Sequence, residues 1–104
     1  MNKIRPFHLA FPVYSIDETI KWYTKNLSCK VGRKNKKWVD FNFFGHQISA
    51  HKTNKKEYSQ SSNPVDGHLV PQRHFGIILK YNDWEEMVKK LRYNKINFII
   101  NPYT

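Results

Sequence analysis

Pro6-Phe7-His8-Leu9-Ala10-Phe11-Pro12-Val13, with Tyr14-Ser15-Ile16-Asp17-Glu18 directly behind it, reads as a strand that runs into a capped helix. Phe7, Leu9, Phe11 and Val13 fall on one face of that strand, and His8, Ala10 and Pro12 fall on the other. Pro12 has no N–H to give a ladder, so the strand belongs at a sheet edge or ends near this residue. Ser15 and Glu18 have the spacing of a capping box, and Ile16, Ile20, Tyr23 and Leu27 then recur at helical spacing. These signals predict a helix over residues 17–26.

Working outward, the same order returns in the second half of the chain. His74-Phe75-Gly76-Ile77-Ile78-Leu79-Lys80 alternates as a strand, and Asn82-Asp83-Trp84-Glu85 offers a second cap. A helix to about Tyr93 follows, with Trp84, Met87, Val88 and Leu91 as its expected inner face. His8 precedes His74 by 66 positions, and the two caps lie 67 apart, which is an internal duplication signal. In each copy a histidine starts the strand and a small residue, Ala10 or Gly76, follows two places later on the same face.

Between the copies, residues 30–33 form a short candidate strand. Residues 37–44 alternate well, with Val39, Phe41 and Phe43 opposite Trp38, Asp40 and Asn42, and residues 46–52 pair back across Gly45. The first module is therefore β-α-β-β-β over residues 1–52. Residues 53–73 are rich in Ser, Asn, Pro and Gly and read as a connecting loop. Residues 74–104 make a partial second module, with residues 97–100 as its last strand. The fold class is α+β, and 104 residues suffice for one domain with a single core.

Composition narrows the function classes. Hydrophobic residues make up 39% and aromatic residues 15%, which excludes a disordered chain. No apolar run reaches the roughly 20 residues of a membrane span, and the first residues lack a secretory pattern. The single cysteine, Cys29, cannot form an internal disulfide, and a cytoplasmic setting is expected. Cys29 also follows a helix C-terminus, where the dipole disfavours a thiolate. A formal charge of +10 would attract phosphates. The lysines, however, are interspersed with asparagines, as biased codon usage produces without any ligand, and no nucleic-acid motif accompanies them. A nucleic-acid partner is not expected. The four glycines are isolated, so there is no phosphate loop, and there is no HExxH metal motif.

The residues that carry most chemistry are the two strand histidines. Imidazole is a common ligand for zinc, iron, nickel and copper, and matching positions in paired repeats can meet at one cavity. A strand histidine taken alone is more often a hydrogen-bonded structural residue, and it is the repeat that turns the reading towards a pair of ligands. Pro6-Phe7-His8-Leu9-Ala10-Phe11-Pro12-Val13, Trp38-Val39-Asp40-Phe41-Asn42 with Phe44-Gly45-His46-Gln47, and Asn63-Pro64-Val65-Asp66-Gly67-His68 leading into His74-Phe75-Gly76 together resemble the vicinal oxygen chelate superfamily. That superfamily includes glyoxalases, extradiol dioxygenases, fosfomycin-resistance transferases and bleomycin-binding proteins.

The resemblance implies paired β-α-β-β-β modules whose curved sheets enclose a divalent metal, here Fe, Zn, Ni or Mn, with His8 and His74 as its ligands. It implies a metal-dependent lyase or dioxygenase acting on a small oxygen-bearing substrate, and a homodimer. The family's acidic ligand comes from the last strand of the second module, which lies beyond Ile100 and is missing here. His51 is a substitute ligand or a partly exposed polar residue. His68 either contacts substrate or serves the turn. Asp40 and Asn42 either line the cavity or face solvent on a half-buried strand. The alternative to catalysis is a small-molecule binding module that uses Trp38 and Phe43 to stack a flat drug-like or aromatic ligand.

Overall fold

The computed structural model describes residues 4–54, 62–71 and 73–103, and its backbone divides into two compact units, residues 1–59 and 60–104. Each unit is described separately. The first contains β1 (His8–Val13), α1 (Ile16–Leu27), β2 (Lys30–Lys34), β3 (Trp38–Phe43) and β4 (His46–Lys52). These strands form one sheet in the order β1-β4-β3-β2, with β1 parallel to β4 and the other neighbours antiparallel. β1 is an edge strand, which is where Pro12 has to be.

Ser15 starts α1 as expected, its hydroxyl accepting from the Glu18 N–H at 3.1 Å. Ser28 ends it at φ 54°, and the Cys29 N–H closes back on the Tyr23 carbonyl at 3.2 Å. The apolar face of the sheet meets this helix. Val39, Phe41, Phe43, Ile48 and Ala50 are buried there, and Tyr23 of α1 stacks on Phe41 with ring centroids 5.1 Å apart. Phe43 therefore belongs to the core and is not a cavity residue, because the β3 alternation that buries Phe41 buries Phe43 with it.

β3 and β4 are joined by a two-residue turn, Phe44 at φ 51° and Gly45 at φ 88°. Positive φ at both central positions matches the twist of a tight hairpin. Nothing lies within 4 Å of a Cβ placed on Gly45, so a side chain there costs backbone energy alone. Gly45→Ala is expected to lower stability by about 1–2 kcal/mol without a clash, measured by urea unfolding.

The second unit departs further from expectation. It contains a hairpin of β5 (Ser62–Val65) and β6 (His68–Pro71), then α2 (Tyr81–Tyr93). The hairpin lies inside the segment read as a connecting loop. It turns on Asp66 at φ 48° and Gly67 at φ 79°, and Asp-Gly between short strands is the signal for such a turn that sequence reading passed over. Residues 74–80 keep a strand's alternation, with Phe75, Ile77 and Leu79 half-buried between exposed neighbours, yet they form no ladder. Residues 97–100 are likewise not a strand.

The first unit supplies a reason for the missing ladder. There, the strand ahead of the helix takes its ladder from β4, the last strand of the module. Among the described residues of the second unit no strand follows the helix to take that place. α2 also starts earlier than predicted. Lys80 is its N-cap, without a side-chain capping bond, so Asn82 and Asp83 fall in the first turn. Trp84, Met87, Val88 and Leu91 are half-buried, and no described residue of this unit is fully buried.

Candidate ligand cleft on the first sheet

Opposite the helix, the sheet presents a polar face whose layout follows from register. Cross-strand partners share a face, so His8, Gln47 and Asn42 form one row. Ala10, Ser49 and Asp40 form the next, and Pro12, His51 and Trp38 the third. An open cleft of about 380 Å³ lies on this face, lined by His8, Arg33, Trp38, Asp40, Gln47, Ser49 and His51.

Four of the residues singled out in the sequence, His8, Trp38, Asp40 and His51, are thus brought together. Asn42 is not among them. Its side-chain oxygen accepts from the Gly45 N–H at 2.8 Å, so it braces the β3–β4 turn instead. His46, at the start of β4, stacks on Phe7 at 4.2 Å, and its Nδ1 accepts the Phe7 N–H at 3.0 Å, which fixes it at the sheet end.

Asp40 is the electrostatic centre of the cleft. Its side chain is 9% exposed, Ser49 Oγ donates to Oδ1 at 2.5 Å, and Arg33 Nε donates to Oδ2 at 3.3 Å. The Ser49 bond, the bond and charge of Arg33, and a bond from Gln47 hold its carboxyl below the usual carboxylate range, while burial opposes them. A carboxyl lowered in this way stabilises the fold above its unfolded value, near about 3.9, and that contribution is lost as pH falls through the lowered folded value. Asp40→Asn is therefore expected to flatten the acid limb of the stability curve, read as urea midpoints between about pH 6 and about pH 2.

Sequence reading missed Arg33, for a physical reason. Simple alternation puts Arg33 on the same face as Val31, which pairs with Phe41 on the helix side. The β2–β3 register shifts between Val31 and Lys34, and the extra residue turns Arg33 to the polar face beside Asp40. The Arg33 guanidinium also lies over the Trp38 ring, 5.4 Å from its centroid.

His68 and His74 belong to the second unit. His68 opens β6 and stacks on Tyr103 with centroids 5.3 Å apart. His74 Nδ1 lies 2.8 Å from the Pro71 carbonyl oxygen. A carbonyl only accepts, so Nδ1 carries a proton; in the neutral ring the lone pair then lies on Nε2, the arrangement found behind metal-bound histidines. Asp40 is a poor metal ligand, because its oxygens already accept from Ser49 and Arg33. Among the described residues no three His, Cys, Asp or Glu side chains cluster as a metal site. The two histidines are chemically fit to be ligands, but the described residues do not complete a ligand set.

A glyoxalase/bleomycin resistance protein/dioxygenase from Alicyclobacillus acidocaldarius superposes with a TM-score of 0.67 at 27% identity, over 88% of this chain and 64% of that one. The chain has the vicinal oxygen chelate fold. Two more solved structures are similar in fold. The fosfomycin resistance protein FosX from Listeria monocytogenes gives a TM-score of 0.62 at 10% identity, over 86% of this chain and 65% of that one. An integron cassette protein from the mobile metagenome of V. cholerae gives 0.58 at 14% identity, over 99% of this chain and 77% of that one. The chain thus spans about two thirds of the first two structures, in keeping with an incomplete second vicinal oxygen chelate module. No protein-family model matches the sequence, and no curated protein does. Among the described residues no helix is long and apolar enough to cross a membrane.

Proposed function

We propose that this chain is the part of a vicinal oxygen chelate protein that binds a small oxygen-bearing substrate together with a divalent metal, with His8 and His74 as metal ligands. The observation that carries the reading is the position of His8 on the cleft face of an edge strand, in a fold whose structural neighbours include a glyoxalase/dioxygenase and a fosfomycin resistance protein. The contact of His74 Nδ1 with the Pro71 carbonyl supports its role, because a neutral ring held that way would turn its Nε2 lone pair to a metal. A divalent ion held there would act as a Lewis acid and polarise neighbouring substrate oxygens. This chain's residues do the rest: Trp38 offers a flat apolar wall, Arg33 and Gln47 offer N–H donors, and Asp40 fixes Arg33. His51 lines the same cleft and offers a ring nitrogen to a substrate oxygen. The remaining coordination positions fall to water or to a group outside this chain. A homodimer and a cytoplasmic setting complete the proposal.

A second reading, a binding module without catalysis, is favoured by one observation. The Arg33–Trp38 stack is a ready platform for a flat ligand, and it needs no metal. Thermal shift separates the two readings. In the first, Zn²⁺, Mn²⁺, Ni²⁺ or Fe²⁺ raises Tm in a concentration-dependent way, by mass action on the folded state, and His8→Ala removes the rise. Equal Tm values with and without every metal would leave the binding module.

A further inference from the structure

The cleft's donors and acceptors are unequally spent. Among the described residues that line it the only carboxylate is that of Asp40, a residue 7% exposed whose oxygens accept from Ser49 and Arg33. It offers a ligand almost nothing. Arg33 is in the reverse condition. Its side chain is 79% exposed, and the bond to Asp40 uses only Nε, so the paired Nη groups keep their N–H donors. His8 and His51 each carry a ring N–H in either neutral tautomer, and Trp38 carries an indole N–H. Gln47 adds an amide. A cleft that presents donors on every side, with its one negative charge turned inward and satisfied, is complementary to a ligand rich in acceptors.

We propose that this cleft binds an oxyanion, a carboxylate or phosphoryl group of a small molecule, and that Arg33 is the residue that recognises it. The proposal rests on the reading that the polar face of the first sheet is the ligand cavity. Asp40 is a positioning residue here. By fixing Nε it aims the two Nη groups as a fork, the geometry that matches two oxygens of one anion. Trp38 under the guanidinium restricts its swing, so less freedom is lost on binding. The β2 bulge is what makes the arrangement possible, since without it Arg33 would lie on the helix side.

The test uses the full chain and two probes, acetate and inorganic phosphate, each titrated at constant ionic strength and read by NMR at the Arg33 Nε–H and Trp38 indole N–H signals. Saturable shifts of both signals are expected with at least one probe, and which probe saturates distinguishes a carboxylate from a phosphoryl ligand. Arg33→Gln should weaken binding at least tenfold, and Arg33→Lys, which keeps the charge but not the fork, should weaken it less. Both changes fall on an exposed side chain, so the fold should tolerate them. Shifts that never saturate, shifts confined to residues outside the cleft, or equal affinity in Arg33→Gln would overturn the proposal. Metal loading is measured separately, so a chain that binds anion without metal, or metal without anion, tells the two ideas apart.

Discussion

Phe41→Ala is expected to destabilise the first unit by about 3–5 kcal/mol, a large share of the roughly 5–15 kcal/mol that holds a domain folded. Phe41 is 1% exposed and the largest fully buried side chain, pairing with Ile48 across the sheet and stacking under Tyr23. Truncation removes a whole ring and leaves a cavity between sheet and helix that the surrounding strands cannot close. β3 carries Phe41 on its helix face and Asp40 on its cleft face, so the loss reaches the cleft through that strand. Urea unfolding followed by tryptophan fluorescence reads the effect. A change below about 1 kcal/mol would mean that the helix does not pack on the sheet as described.

The second large effect is expected at Asp40. Asp40→Ala removes the acceptor of the hydroxyl of Ser49, a residue only 4% exposed, and an unsatisfied buried hydroxyl plus a lost charge-assisted bond costs about 2–3 kcal/mol. Asp40→Asn keeps an acceptor for Ser49 and should cost clearly less. Arg33→Gln should cost under about 1 kcal/mol, because that end of the ion pair is solvated. The order Ala, then Asn, then the Arg33 change is the signature of a carboxylate held mainly by Ser49. Equal costs for all three would assign the stabilisation to the ion pair.

Much of the first unit was legible because its signals are local. Ser15 with Glu18 marks a helix start, and the Val39, Phe41, Phe43 alternation fixes which face of β3 is buried, so the polar face with His8, Trp38, Asp40 and His51 follows from register. Arg33 was not legible. A one-residue shift between two strands leaves no trace in the alternation of either, and it decides the face on which a side chain lies. The second unit shows a different limit. Alternation over residues 74–80 reports which side chains turn inward, but a strand also needs a neighbour, and the sequence of a segment does not contain its partner. Asp66-Gly67 was the reverse case, a local signal present in the sequence that the polar composition around it obscured.

The role of His8 and His74 is tested most directly by elemental analysis of the purified chain after metal-free dialysis and reloading, comparing wild type with His8→Ala and His74→Ala. The expected result is close to one divalent ion per chain in the wild type, lost in both variants while their folds persist. A wild type that holds no metal, or variants that hold as much as the wild type, would contradict the assignment and leave the cleft as a binding site that works without a metal.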